Sequence, residues 1–145
     1  MPYGPHHTTL PAPAPSWTRL LEAIRYRGVY PTRERAEEAA RLVLAGLGRL
    51  VDGDARAELA ARLPAEAARL LSREIPGASP LSGQEFVADL AARSGASVAT
   101  TRWDTGSVLT VVADLVDPDL LDRLLDQLPP GHALLFGRAE LSQPV

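Results

Sequence analysis

The side chains able to do chemistry in this sequence are few, and they are spread along it rather than grouped. There are three His, no Cys and no Lys. His6 and His7 are neighbours in the opening segment, and two imidazoles can grip a metal ion. A zinc site takes at least three protein ligands, however, and no third follows nearby. His132 comes after Pro129-Pro130-Gly131 at the expected start of a helix, where an imidazole can cap locally or carry a proton near neutral pH. Asp119, Asp122 and Asp126 fall on one side of a helix, preceded by Asp114 and Asp117, a set of carboxylates suited to a hard cation. Calcium loops alternate oxygen ligands around a glycine turn, which this stretch lacks, so the acids read as a wet face or a surface for a basic partner. Arg62, Arg69 and Arg73 are the opposite case, suited to an anion or an acidic partner. Trp103, between Arg102 and Asp104, is the remaining partner-binding candidate, because an accessible Trp anchors interfaces. No Gly-rich phosphate loop occurs. The expectation is no catalytic residue, no cofactor and no metal.

Composition narrows the classes further. The chain has 145 residues, enough for one domain with a core of its own. With no Cys, disulfides and thiol chemistry are excluded, which fits a reducing compartment and an expected cytoplasmic location. No stretch approaches the ~18 apolar residues of a membrane span, and the first fifteen residues lack an apolar signal core. All 15 basic residues are Arg, and the net charge is −3. That balance argues against nucleic acid, whose phosphates need clustered positive charge. The charge is divided unevenly, with 11 Arg against 9 acids over residues 16–75 and 4 Arg against 9 acids over 82–141, or +2 and −5.

The elements that must carry these residues are helical. Residues 1–15 hold five Pro and little to bury, which predicts a disordered tail. Ser16 caps a helix with Trp17, Leu20, Leu21 and Ile24 on one face, ended by Gly28. Pro31 and Thr32 open a long helix whose acids Glu34, Glu37 and Glu38 suit its positive end. A shorter helix carries Leu59 and Leu63, and Pro64 opens another through Leu70 and Leu71. Residues 76–81 form a linker, after which Ser82 and Glu85 stand in capping-box spacing ahead of Phe86, Val87 and Leu90. Gly46, Gly48 and Gly106 interrupt the long helices and predict close helix approach at each.

A shift of 65 residues lays Val43-Leu44 on Val108-Leu109, Leu50-Val51-Asp52 on Leu115-Val116-Asp117, and Leu63-Pro64 on Leu128-Pro129. The first helix aligns at a shift of 66. The reading is an all-α fold of two tandem pseudo-symmetric helical repeats, 16–75 and 82–141, packed as one bundle-like domain, with a C-terminal tail at 142–145. The same pieces, Arg35 to Leu44, Leu59 to Pro64 with Leu70-Leu71, and Leu124 to Pro129 with Leu135-Phe136, resemble the bacterial domain-of-unknown-function family 2267. The resemblance implies a helical two-repeat protein and carries over no activity and no catalytic residue. The second repeat departs from the pattern in a loop from Ser94 to Trp103, where the Glu-rich first turn is missing.

The leading functional reading is a small non-enzymatic protein-interaction or structural helical module, with a protein partner or self-association, no nucleic acid and no membrane. Head-to-tail contact between the positive half of one molecule and the negative half of another follows from the charge division, unless the charges satisfy each other within one chain. The alternative is a small-molecule binder or hydrolase using His132 in the groove between the repeats.

Overall fold

Hydroxyl side chains set where the helices begin. In this computed structural model, which describes residues 16–77 and 80–138, Ser16, Thr32, Ser82 and Ser97 each accept a hydrogen bond from the backbone three residues on. Eight helices result: α1 (Trp17–Gly28), α2 (Arg33–Leu50), α3 (Gly53–Arg62), α4 (Ala65–Ser72), α5 (Gly83–Ser94), α6 (Val98–Leu115), α7 (Pro118–Asp126) and α8 (His132–Leu135). There is no strand among the described residues. The reading of residues 1–15 as a tail, with His6 and His7, lies outside the described residues, as do residues 78–79 of the linker and everything after Arg138.

The core is built from α1, α2, α5 and α6, with Leu20, Ile24, Leu44, Leu47, Phe86, Leu90 and Leu109 among its fully buried side chains. α1 packs on α2 and α6, α5 packs on α6 and α2, and α2 and α6 pack on each other. α4 lies on α2, α8 on α6, and α3 on α7. Because α6 touches α1, α2, α5 and α8, it is covered on most sides, and its hydroxyls must be satisfied internally. Thr101, Thr105 and Ser107 do this by donating to the carbonyls of Ser97, Thr101 and Trp103, four residues back.

Two of the three glycines within the long helices α2 and α6 lie where helices meet. A Cβ on Gly48 would fall 2.1 Å from the Leu71 carbonyl oxygen, so α2 and α4 can cross this closely only with glycine there. Arg56 closes the same corner, donating to the carbonyls of Gly48, Leu71 and Glu74. On Gly46 a Cβ would press on Leu90 and Phe86. Gly106 corrects the expectation of a third crossing, for a Cβ there meets nothing within 4 Å. Pro64 is the N-cap of α4 rather than part of its first turn, whereas the last helix begins at His132, where the sequence places a helix start.

Candidate interaction surface

The feature that organises one end of the molecule joins residues far apart in sequence. Asp104, in the middle of the second half, is 4% exposed, and it sits on the turn between α1 and α2. Its carboxylate accepts from the Tyr30 hydroxyl at 2.7 Å and from Arg35 Nη2 at 3.1 and 2.8 Å. The Arg35 guanidinium also lies over the Tyr30 ring, 5.1 Å from its centre. Burial, then donation to a charged acceptor, holds the Tyr30 hydroxyl well above its ordinary pKa of 10.0, while the bonds to Asp104 raise Arg35. Next along α6, the Trp103 indole N–H donates to the Gly28 carbonyl at 2.9 Å, so the ring is fixed at one edge while the residue stays 56% exposed.

The turn itself is under backbone strain. A Cβ on Gly28 would lie 2.2 Å from the Tyr30 ring, so packing requires glycine at that position. The left-handed residue that ends α1 is the next one, Val29, at φ 54°, and a β-branched residue there is rare. Val29 is 79% exposed, and its neighbour Tyr26 is 88% exposed.

Three broad depressions open around these aromatics. One of about 640 Å³ is lined by Tyr26, Arg27, Arg102, Trp103, Gly106, Thr110 and Leu134, among others. A second of about 450 Å³, on the other side of Trp103, has Tyr30, Arg35, Thr100 and Asp104 in its wall. A third of about 470 Å³ lies among Arg25, Tyr26, Val29 and Tyr30. Together their walls hold Arg25, Arg27, Arg35 and Arg102 against the single acid Asp104, a local charge of +3 in a chain of −3. Gly106 faces this space, which accounts for the open room beside it.

Of the partner-binding candidates read from sequence, Trp103 is the one the structure places in these walls. Arg62 is half-exposed and lies 3.6 Å from Asp117, holding α3 to α7. Arg69, on α4, and Arg73, at its C-terminal cap, are exposed and border none of the three depressions. Asp119 is exposed and pairs with Arg123, one turn on, whereas Asp122 and Asp126 are exposed on α7. No group of three His, Asp or Glu side chains converges among the described residues. His132 is buried against Phe86, and its Nε2 lies 2.7 Å from the Leu81 carbonyl, so the proton must be on Nε2 and the ring ties α8 to the segment before α5. It borders none of these depressions.

The charge division seen in the sequence is bridged inside the chain. Arg35–Asp104 and Arg62–Asp117 join the positive first half to the negative second, and Arg123 grips Glu58 through two hydrogen bonds of 2.9 and 2.7 Å. The Glu58 carboxyl is lowered chiefly by those bonds. No helix among the described residues is long and apolar enough to cross a membrane. A family model described as an uncharacterized conserved protein (DUF2267) matches residues 17–135. No curated protein matches the chain.

Proposed function

The chain belongs to the DUF2267 family, and from that premise we propose that it is a non-enzymatic protein-interaction module whose contact surface is the Trp103 face. The observation that carries this reading is the gathering of Tyr26, Val29, Trp103 and Leu134, all largely exposed, around adjoining depressions. Exposed apolar groups that form a contiguous patch mark partner sites, whereas single ones need no explanation. Strain at Val29 and the pinned Trp103 ring favour the same reading, because both hold apolar groups outward in one fixed arrangement.

The scaffold behind the face we read as a duplicated unit. α2 and α6 have limits 65 residues apart at both ends, and α1 and α5 limits 66 apart. Glu58 and Arg123, which grip each other, occupy equivalent positions at the shift of 65. Gln127, the equivalent of Arg62, bonds the backbone of Asp52, the equivalent of Asp117, just as Arg62 meets Asp117. Such reciprocal contacts are what an isologous interface leaves behind when its two copies are fused in one chain.

Selection of random peptides on the full chain tests the proposal without a known partner. Peptides enriched on the wild-type chain and lost on Tyr26→Ala and Trp103→Ala support it. Enrichment indifferent to both substitutions, or none at all, overturns it.

A further inference from the structure

We infer that the Trp103 face takes an acidic peptide segment of another protein, with bulky apolar side chains that enter the depressions on either side of the Trp103 ring; this rests on the interaction role proposed above. Two features of the wall select such an occupant. The first is charge of a sign opposite to that of the whole chain. Asp104 is already engaged by Tyr30 and Arg35, so it offers a ligand little negative charge. Arg27 and Arg102 are exposed, line the same depression, and form no ion pair among the described residues. An incoming carboxylate would find guanidinium groups that form no ion pair among the described residues, and Arg matches carboxylate geometry well.

The second feature is the apolar character between those charges. Val29 and Leu134 are aliphatic and exposed beside Tyr26 and Trp103. Aliphatic walls favour apolar side chains, whereas a single-stranded nucleic acid would use stacking rings along a continuous basic track. That track is missing here, because only a few Arg are gathered and the second half of the chain carries −5 over residues 82–141. The depressions are broad and open, which suits side chains delivered by a peptide backbone better than an enclosed small molecule.

The test uses fluorescently labelled synthetic peptides and polarisation on the full chain. One peptide interleaves Glu and Asp with Leu and Phe, a second carries Lys in place of the acids, and a third carries Ala in place of Leu and Phe. The first is expected to bind, to weaken about tenfold or more between about 0.05 M and 0.5 M salt, and to lose about tenfold on Arg27→Glu with Arg102→Glu. Thermal unfolding of that double variant is expected to match the wild-type chain, which separates lost binding from lost folding. Equal binding of the Lys or Ala peptide, or unchanged binding by the Glu variants, overturns the inference. So does tighter binding of oligothymidine, or self-association through Trp103 seen by light scattering, since each names a different occupant. If random selection yields Trp103-dependent peptides without acids, the interaction role stands and this inference falls; if it yields none, both fall.

Discussion

Asp104→Ala should be among the most damaging single changes at a polar side chain in this molecule. The carboxylate is nearly fully buried and accepts three hydrogen bonds, two of them from a guanidinium. Removing one partner of a buried charged pair costs roughly 3–5 kcal/mol when the other charge is left stranded. Here the Arg35 side chain is 31% exposed and can recover part of its hydration, so the expected loss is smaller, about 2–4 kcal/mol. For a chain of this size each kcal/mol moves the midpoint by roughly 2–4 °C, which predicts a fall of about 4–16 °C. Tyr30→Phe removes one bond and leaves Asp104 paired with Arg35, so about 1 kcal/mol is expected. In the Asp104→Ala background the same change should cost almost nothing, because its partner is gone. Urea unfolding followed by circular dichroism measures all four corners of this cycle. An Asp104→Ala chain within 0.5 kcal/mol of wild type, or Tyr30→Phe costing the same in both backgrounds, would refute the network as a structural tie; ~0.5 kcal/mol is the usual effect of a surface change.

The glycines of the two long helices should respond with opposite sign. Gly48→Ala should lose about 3 kcal/mol, since its Cβ meets backbone rather than a movable side chain, whereas Gly106→Ala should gain about 1 kcal/mol from helix propensity; both are read from urea midpoints. Val29→Gly should stabilise by about 1 kcal/mol as left-handed strain is relieved, read from the urea midpoint. The Tyr30 hydroxyl should ionise above its ordinary range in an alkaline absorbance titration, and that step should vanish in Tyr30→Phe. Its pKa is raised in the folded chain, so its contribution to stability is complete below pH 10.0, the ordinary value, and declines as pH rises past it.

Helix starts were legible where capping is local: a Ser or Thr three residues before the amide it accepts from could be read from the string at Ser16, Thr32 and Ser82, whereas Ser97, the cap of α6, was not picked out. Trp103 was named as a candidate because it is a large aromatic, but the stretch from Ser94 to Trp103 read as a loop, whereas from Val98 on it is the start of α6. The network beneath Trp103 was not legible. Tyr30 and Asp104 are 74 residues apart and Arg35 and Asp104 are 69 apart, and nothing in either neighbourhood signals the other. The one available hint was an acid set within the mostly uncharged stretch from Ser94 to Ala113, where burial demands a partner. Gly106 was misread because composition gives the cost of a helix glycine but not the direction it faces. Arg62 and Asp117 were weighed as separate surface charges, and only folding shows that they meet.

The most direct test of the Trp103 face as an interaction surface is Gly106→Leu, assayed in parallel for stability and for binding to a peptide selected on the wild-type chain. The Cβ position opens into the depression and leucine is a better helix former than glycine, so the variant should unfold at or above the wild-type midpoint while its side chain occupies the site. The account predicts a stable chain that no longer binds. A stable Gly106→Leu chain that binds as tightly as wild type would contradict it.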